Sequence, residues 1–404
     1  MKILINCYAC SPYGGSEPGM GWNFVNSLSK YNELHIITES TYKKYIDEFF
    51  VNNPDRINDF HFYYIKRKLN KSLRKIWPPS YYWTYKTWQK EALQLATRLD
   101  QEENFDVIHQ LNMAGYREPG YLWKLSKPFI WGPVGGLENM PWQLIPLMRF
   151  KGKLFYTAYN FINSWQKHFN YRIKKAFKSA QYVIAATQAE KNEIKRVYNK
   201  DSILIPEVGK VDIPFVSINK RKQKEKLRLC WSGLHKPRNA LNILLESISK
   251  SNTNDIELHI IGSGTETLYW KDIAEKLKLQ NLIWHGLVSR SESINIIKRC
   301  HLFCITSLRD LTSTVLLEAL SCGKPVIALD HCGFSNIITN ECGIKIHIEN
   351  KEQIITDYSN AITYLFENEQ KRIELAEGAL RRSEELNWND KAIQISKLYT
   401  ATKE

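Results

Sequence analysis

Residues 302–328 carry the pattern that decides the fold: LFCITSLRDLTSTVLLEALSCGKPVIA. An apolar run, Leu302–Thr306, is followed by a polar loop, a helical stretch over Val315–Leu320 and a second apolar run, Pro325–Ala328. Short apolar runs that alternate with helical stretches are typical of parallel strands joined by crossover helices. This stretch therefore predicts one strand–helix–strand unit of a parallel α/β sheet.

The same alternation extends over most of the 404 residues, which is about twice the usual size of one domain. In the first half, the predicted strands are Lys2–Cys7, Leu34–Thr38, Phe60–Tyr64, Val107–Gln110, Phe129–Trp131, Tyr182–Ala185 and Ile203–Ile205. In the second half they are Leu227–Trp231, Ile256–Ile261, Leu282–Trp284, Leu302–Thr306 and Pro325–Ala328. A polar, charged connector separates the two series. The pattern predicts two doubly wound, Rossmann-like domains.

The predicted domain boundaries follow from that connector. We expect a first domain over residues 1–207, a linker over 208–225 and a second domain over 226–387. The last helix, about residues 388–404, is a candidate to pack back on the first domain.

The net charge of +14 is concentrated in one half of the chain: residues 1–200 carry +13 and residues 201–404 carry +1. Two stretches without acidic residues, Lys66–Lys90 and Arg149–Lys178, mix lysine and arginine with tryptophan, tyrosine and phenylalanine. This composition suits nucleic acid, a lipid headgroup region, or a solvated basic face over an aromatic core. The sequence shows neither an export signal nor an apolar run long enough to span a bilayer, so we expect a cytoplasmic protein.

Candidate site residues follow the predicted strands, because ligands of doubly wound sheets bind at the carboxyl ends of the strands. In the first half these residues are Gly14, Gly15 and Glu17 after the first strand, His109 and Asn112 at the fourth, and Gly135 and Gly136 after the fifth. In the second half they are Gly233, Lys236, Arg238, Gly262, Asp310, Thr312, Ser313, Thr314, Val315 and Glu318.

The second set combines three kinds of binding group. Basic side chains and the N–H groups of a helix start suit phosphate, whereas the carboxylates of Asp310 and Glu318 accept hydrogen bonds from sugar hydroxyls. Together they indicate a sugar-nucleotide pocket. Taken singly, each carboxylate also fits an ordinary helix start, and a lone His109 at a strand end fits a structural role.

The spacing of Asp310 and Glu318, followed by Ala319 to Ile327, resembles the signature of retaining family-4 glycosyltransferases of the GT-B fold, as found in bacterial surface-polysaccharide synthesis. The resemblance extends to 109–120, 131–136, 231–233 and 237–238. Three positions depart from the family pattern. Asp310 replaces the usual glutamate, and Leu234 and Asn239 replace two basic residues, for which Lys236 and Arg238 are nearby substitutes.

The resemblance implies two domains that face a central cleft, with a UDP- or GDP-linked donor in the second and the acceptor in the first. Glu318 would hold the ribose hydroxyls and Asp310 the transferred sugar, while the N–H groups of Thr312 to Val315, aided by Arg238, would meet the sugar and the diphosphate. Gly14 and Gly15 would close over the donor, His109 would lie near the reacting sugar, and Glu17, Asn112, Gly135 and Gly136 would line the acceptor side. No metal ion and no cofactor besides the nucleotide-sugar are expected.

The favoured function is a metal-independent retaining hexosyltransferase that builds a surface polysaccharide, lipopolysaccharide or lipid-linked saccharide. We expect it to be peripheral on the cytoplasmic face of the inner membrane, held by Lys66–Lys90 and Arg149–Lys178, with no nucleic-acid partner because no RNA- or DNA-binding motif is present. Two alternatives stay open: a sugar-nucleotide 2-epimerase of the same fold, and a non-catalytic protein that binds sugar-nucleotides or membranes.

Overall fold

The computed structural model describes residues 1–68, 80–214, 216–222, 224–251 and 255–403. Contacts divide the chain into two compact units. Unit 1 contains residues 1–138, 164–207 and 388–404, and unit 2 contains residues 139–163 and 208–387.

Unit 1 is built on a seven-stranded parallel sheet with the order β3-β2-β1-β4-β5-β6-β7. Its strands are β1 (Lys2–Cys7), β2 (Glu33–Glu39), β3 (Phe60–Ile65), β4 (Val107–Asn112), β5 (Phe129–Val134), β6 (Tyr182–Ala185) and β7 (Ile203–Leu204). The central strands are buried on both faces; Ile3, Leu4 and Ile5 of β1, for example, are fully buried. Burial on both faces explains why the apolar residues of β1 follow one another without polar alternation in the sequence.

Helices cover the two faces of this sheet. They are α1 (Ser16–Leu28), α2 (Lys43–Asn52), α3 (Ser80–Glu103), the end of α4 (Phe150–Phe169), α5 (Tyr171–Ser179), α6 (Gln188–Tyr198) and the last helix, which is named α14 below (Trp388–Ala401). The last helix packs against α1, where the rings of Phe24 and Trp388 meet edge to face at 5.1 Å. Lys391 also donates a hydrogen bond to the Pro206 carbonyl at 2.9 Å.

Unit 2 repeats this architecture with a six-stranded parallel sheet of order β10-β9-β8-β11-β12-β13. The strands are β8 (Leu227–Ser232), β9 (Ile256–Ile261), β10 (Leu282–Gly286), β11 (Leu302–Ile305), β12 (Val326–Leu329) and β13 (Gly343–Ile346). The helices are α7 (Leu241–Lys250), α8 (Thr267–Lys276), α9 (Arg290–Arg299), α10 (Thr314–Ser321), α11 (Phe334–Ile337), α12 (Lys351–Glu367) and α13 (Glu369–Glu385). The prediction of two doubly wound sheets is confirmed.

Two of the predicted boundaries differ from the structure. Residues 139–163 were expected in the first domain but group with unit 2, because Met140, Leu144 and Leu147 are buried in the core that also contains Leu241. Residues 208–225 were expected to be a separate linker but also belong to unit 2. There, Val208 is buried, and the Lys210 backbone N–H donates to the Leu386 carbonyl at 3.0 Å.

Among the helices of the described residues, none is both long enough and apolar enough to cross a membrane.

Candidate functional site

In unit 2, the loops after β8 and β9 approach each other through two glycines. Gly262 has a φ of +118°, and a Cβ atom on it would lie 1.9 Å from the Gly233 carbonyl oxygen. Only glycine fits this contact, because any side chain would collide with the backbone of the neighbouring loop. Both glycines were predicted site residues, and the structure brings them together at the carboxyl ends of adjacent strands.

The loops after β8 and β11 are joined by hydrogen bonds that converge on Thr306. The Trp231 indole N–H donates to the Thr306 hydroxyl at 2.9 Å, and that hydroxyl donates to the Asn239 carbonyl at 2.7 Å. Next to them, the Leu308 N–H donates to the Arg238 carbonyl at 2.7 Å. The backbone positions of the Arg238 and Asp310 loops are therefore coupled.

Arg238 and Asp310 lie together in this region. The Arg238 guanidinium donates to the Arg309 carbonyl at 2.7 Å, and its Nη1 is 3.7 Å from Asp310 Oδ1. Asp310 also accepts a hydrogen bond from the Leu311 N–H at 3.0 Å. The second predicted basic residue, Lys236, has an exposed side chain on the same loop as Arg238. The arrangement combines a half-buried guanidinium, which suits phosphate, with a carboxylate that suits hydroxyl groups.

Helix α10 begins directly after the Asp310 loop. Ser313 is its N-cap, and its side chain makes no capping hydrogen bond to the described residues; the Leu316 N–H returns to the Ser313 carbonyl at 3.0 Å. The N–H groups at Thr314 and Val315 precede this first helical hydrogen bond, so they are placed to meet an anion. On the other side, Gly333 is packed against Thr312, where a Cβ would lie 2.0 Å from the threonine hydroxyl oxygen.

Glu318 lies one turn inside α10 and is 4% exposed. Its Oε1 accepts a hydrogen bond from Arg290 Nε at 2.8 Å. Burial raises the pKa of the Glu318 carboxyl, and the ion pair with Arg290 opposes this change. The side chain of Arg290 is 50% exposed. A bound hydroxyl group would give the buried carboxylate an additional hydrogen-bond donor.

His235, to which the sequence pattern assigns no role, lies at the junction of the loops after β8 and β9. It is fully buried; its Nδ1 lies 2.7 Å from the Thr267 hydroxyl, and its backbone N–H donates to the Ser263 carbonyl at 3.0 Å. Burial lowers the pKa of His235 to about 4, so the imidazole is neutral at physiological pH. Its Nε2 is buried without a hydrogen-bond partner among the described residues.

In unit 1, Glu17 and Asn112 connect the loops after β1 and β4. Asn112 accepts a hydrogen bond from the Ala9 N–H at 3.2 Å and donates one to the Ala9 carbonyl at 2.7 Å. Glu17 Oε1 accepts from the Ala114 N–H at 3.1 Å, and burial raises the pKa of this carboxyl. Glu17 is in the first turn of α1, which starts directly after Gly14 and Gly15. The structure thus places these four predicted residues around the carboxyl ends of two adjacent strands.

The Gly135–Gly136 loop is held by a residue that the sequence analysis missed. Glu190 of α6 accepts hydrogen bonds from the N–H groups of Gly136 at 2.8 Å and Leu137 at 2.9 Å. The Gly135 N–H donates to the Ala114 carbonyl at 2.7 Å, which links this loop to that after β4. The signal in the sequence is a Thr187-x-x-Glu190 capping box, in which the glutamate usually binds its own helix start. Here the carboxylate turns to another loop.

The structure does not support a catalytic role for His109. The side chain is fully buried; its Nε2 is 2.8 Å from the Gly132 carbonyl oxygen, and its Nδ1 is 2.6 Å from the Tyr399 hydroxyl. A carbonyl can only accept, so Nε2 carries the proton and Nδ1 accepts from Tyr399. Burial lowers the pKa of His109 to about 4. Both ring nitrogens are used inside unit 1, where the histidine joins β4, β5 and α14.

Apart from His109, the predicted residues therefore fall into two groups. In unit 2 the group comprises Gly233, Lys236, Arg238, Gly262, Asp310, Thr312, Ser313, Thr314, Val315 and Glu318. In unit 1 it comprises Gly14, Gly15, Glu17, Asn112, Gly135 and Gly136. Among the described residues, neither group contains three histidine, cysteine, aspartate or glutamate side chains close enough to share one metal ion.

Comparisons with known proteins agree with this organisation. Residues 213–382 match the family model described as glycosyl transferases group 1. The uncharacterized glycosyltransferase MJ1069 of Methanocaldococcus jannaschii is 28% identical over 238 residues, which are 56% of this chain and 60% of that protein. An N,N'-diacetylbacillosaminyl-diphospho-undecaprenol alpha-1,3-N-acetylgalactosaminyltransferase of Campylobacter jejuni is 29% identical over 28% of this chain and 30% of its own length. Both alignments span less than two thirds of the relative.

The crystal structure of Alr3699/HepE from Anabaena in complex with UDP aligns with a TM-score of 0.64 at 15% identity, covering 99% of this chain and 100% of that chain. The fold is therefore GT-B.

Proposed function

We propose that the protein is a glycosyltransferase that transfers a hexose-type sugar from a nucleotide-sugar. The observation that carries the proposal is the grouping of Arg238, Asp310, the start of α10 and Glu318 at the carboxyl ends of the unit 2 strands. This grouping lies inside the segment that matches the glycosyl transferase family model. It provides separate groups for phosphate and for hydroxyls, which a nucleotide-sugar presents together.

In this proposal the donor binds to unit 2. Glu318 accepts hydrogen bonds from the ribose hydroxyls, and Asp310 accepts them from the transferred sugar. Arg238 and the N–H groups from Thr312 to Val315 bind the diphosphate, with Lys236 contributing charge. A UDP- or GDP-linked sugar fits this set, and the similar HepE structure contains UDP.

We propose that transfer retains the configuration at the anomeric carbon and needs no metal ion. The bond between that carbon and the diphosphate oxygen breaks on the same face on which the acceptor hydroxyl attacks. The leaving phosphate oxygen takes the proton of that hydroxyl, and Arg238 together with the start of α10 stabilises the charge that develops on the diphosphate. His109 has no part in this step, because both of its nitrogens are engaged inside unit 1.

The acceptor in this proposal is a saccharide or lipid-linked saccharide of a surface polysaccharide or lipopolysaccharide, bound by unit 1. Glu17, Asn112, Gly135 and Gly136 are the candidate acceptor residues, and Gly14 and Gly15 remain candidate donor-binding residues. The Campylobacter jejuni relative carries an undecaprenol-linked acceptor in its name, which supports this class of substrate.

We also propose that the protein binds the cytoplasmic face of an anionic membrane through α4 and α5. One face of α4 exposes large apolar side chains, among them Phe150, Leu154, Phe161, Trp165 and Phe169, each at least 63% exposed. Apolar side chains on one face of a helix, bordered by lysines, suit the interface between headgroups and acyl chains. A lipid-linked acceptor would lie in the same interface.

The basic residues of Arg149–Lys178 are not all available for such binding. Lys167 is 2% exposed and pairs with Glu193 at 2.7 Å, and Arg172 pairs with Glu118 at 2.6 Å. The remaining charge comes from Arg149, Lys151, Lys153, Lys174, Lys175 and Lys178.

In the other basic stretch, Lys66–Lys90, the aromatic residues divide between core and surface. Tyr85 and Trp88 are buried, while Tyr82 and Trp83 are exposed. Lys71, Arg74 and Lys75 of this stretch lie outside the described residues.

Vesicle co-sedimentation tests the membrane proposal. The wild-type chain is expected to pellet with anionic but not neutral vesicles, and salt should weaken the pelleting. The F161S/W165S variant should lose it. The L268S/L287S variant is the matched control, because Leu268 and Leu287 are equally exposed on unit 2 and lie outside α4. Equal pelleting of both variants with anionic vesicles would contradict the proposal.

A donor screen tests the enzymatic proposal. The melting temperature is measured with UDP, GDP and their sugar conjugates, since a ligand that binds the folded state raises it. The conjugate that binds is then incubated with the protein alone. Slow release of free nucleotide and sugar is expected from a transferase that uses water as a poor acceptor. An epimerised nucleotide-sugar would identify the 2-epimerase instead, and binding without any turnover, with or without saccharide acceptors, would favour the non-catalytic alternative.

A further inference from the structure

Three side chains with metal-binding atoms meet on β2 and β3 of unit 1. They are Glu33 and His35 of β2 and His61 of β3, and their ligand atoms all lie within 4.8 Å of one another. Glu33 Oε1 and His35 Nε2 are already 3.2 Å apart. None of these three residues belongs to the candidate donor or acceptor site.

The register of the sheet produces this cluster. His35 is the direct partner of His61 in the parallel pair of β2 and β3, so both side chains project from the same face. Glu33 precedes His35 by two residues and therefore lies on that face as well. His35 is 2% exposed and packs edge to face against Phe105, whereas Glu33 and His61 are exposed. One ligand is thus fixed in the core, and two can adjust from the solvent side.

We propose that Glu33, His35 and His61 bind a divalent transition-metal cation, with Zn²⁺ as the best match. Two imidazoles and one carboxylate are ligands that zinc prefers, and water would complete a tetrahedral shell. Bond lengths of about 2.1 Å place tetrahedral ligand atoms about 3.4 Å apart, so the cluster needs to contract only slightly. The His35 and His61 rings are stacked at 4.5 Å, and the exposed His61 ring can turn to bring its nitrogen toward the shared point.

Tyr63 supplies the outer contact that such a site requires. Its hydroxyl is 3.0 Å from His35 Nδ1, the ring nitrogen that faces away from Glu33. When Nε2 binds a cation, Nδ1 carries the proton and donates a hydrogen bond to the Tyr63 hydroxyl oxygen. Contacts of this kind fix the tautomer and orientation of a metal-binding histidine.

Lys2 opposes cation binding and provides a sensitive test. Its ammonium group is 3.4 Å from Glu33 Oε1 but closer, at 2.8 Å, to Glu103 Oε2. Lys2 can therefore remain with Glu103 when Glu33 turns to a cation. Its positive charge still repels the bound metal, so removal of that charge is expected to tighten binding about tenfold.

The second sheet contains a natural comparison. Residues 33–37 and residues 257–261 have the same sequence, ELHII, and each segment pairs with the edge strand of its own sheet. In unit 2, however, Glu257 contacts His259 Nε2, whereas His285 contacts His259 Nδ1 at 3.0 Å. Glu257 and His285 contact opposite nitrogens of the His259 ring, so the ligand atoms of the three residues do not converge on one point. His285 is therefore the matched control.

The position of the cluster indicates what the cation does. Glu33 is the first residue of β2 and His61 the second of β3, so the cluster lies at the amino ends of the strands, away from the loops that follow β1 and β4. Strand β3 is the outer strand of the described sheet. A cation here ties that outer strand to β2 and leaves donor binding by unit 2 unchanged.

Calorimetric titration of tag-free, chelator-treated full-length protein with ZnCl₂ tests the proposal. We expect one cation per chain, at least tenfold weaker binding in E33Q, H61A and Y63F, unchanged binding in H285A and tighter binding in K2Q. Hydrogen exchange should show that Zn²⁺ protects residues 60–65 in the wild type and not in H61A. Absence of binding at 1 mM Zn²⁺, or equal affinities of wild type, E33Q and H61A, would overturn the proposal. Neither result would alter the UDP-induced shift of the melting temperature, which is measured separately.

Discussion

Replacement of Glu318 by glutamine separates the stability of unit 2 from its ability to bind a donor. The variant keeps the shape of the side chain but removes the negative charge. In the folded protein, burial raises the pKa of Glu318, so the ionised form at neutral pH is less favourable than in the unfolded chain. A carboxyl group whose pKa is higher in the folded than in the unfolded chain stabilises the fold at any pH below its unfolded pKa. This stabilisation is lost as the pH rises through the pKa of the folded chain. At pH 7 the E318Q variant should therefore melt at the same temperature as the wild type or slightly above it.

The affinity for the nucleotide-sugar donor, in contrast, should fall. A hydrogen bond from a hydroxyl to a charged acceptor contributes about 1.5–3 kcal/mol, which corresponds to about a ten- to hundredfold loss of affinity. At a UDP concentration of about one hundred times the wild-type Kd, binding stabilises the fold by about 2.7 kcal/mol. After a hundredfold loss, the same concentration stabilises it by only about 0.4 kcal/mol. For a unit of about 200 residues, the UDP-induced shift should fall from roughly 5–10 °C to about 1 °C after a hundredfold loss, and to about 3–6 °C after a tenfold loss.

The assay is thermal unfolding with and without UDP, followed by titration calorimetry. E385Q is the matched control, because Glu385 also pairs with an arginine, Arg382, at 2.6 Å but belongs to α13 and is exposed. It should keep the wild-type shift. If E318Q kept the full UDP-induced shift, the assignment of Glu318 to the donor would be wrong. A large drop in the melting temperature without UDP would contradict the pKa argument.

Three further outcomes are expected. D310N should lose most turnover while its affinity for UDP changes less than threefold, because Asp310 is assigned to the sugar; donor turnover and UDP calorimetry measured together decide this. R238A should bind UDP about ten- to hundredfold more weakly and uridine unchanged, since the guanidinium is assigned to the phosphates; equal losses for both ligands would contradict that assignment. The free energy of unfolding should decrease as the pH falls from about 6.5 to 4, because the unfolded chain protonates its histidines at a higher pH than the folded chain does. The fully buried His109, with a pKa of about 4, accounts for up to about 3 kcal/mol of this decrease. Urea unfolding of H109Q should therefore show a smaller decrease over the same pH range.

The parallel strands could be predicted because their signal is local. A strand that is buried on both faces needs a run of apolar residues, and such a run stands out wherever polar loops border it. Strand β13, Gly343–Ile346, was missed because Lys345 interrupts its apolar run. The loops that carry the candidate site were also predictable, because a parallel sheet places all its carboxyl ends at one edge. The structure accordingly brings Gly233 to Gly262 and Arg238 to Asp310.

The roles of single polar residues depended on the tertiary structure. His109 contacts Tyr399, which is 290 residues away in the sequence, and Glu190 turns from its own helix start to the loop of Gly136. Lys167 and Lys174 have similar basic and aromatic neighbours in the sequence, yet only Lys167 is buried beside a glutamate.

The membership of residues 139–163 in unit 2 has the same cause. The apolar residues of this segment could be buried against either sheet, and contacts with the core around Leu241 decide between them. Apolar periodicity is a property of neighbouring residues. The sequence alone therefore determined the two sheets and the edge of each sheet, at the carboxyl ends of its strands, where a site is expected. The partner of a buried hydrogen bond or ion pair is chosen by packing between distant segments, and only the tertiary structure decides which polar residues remain for a ligand.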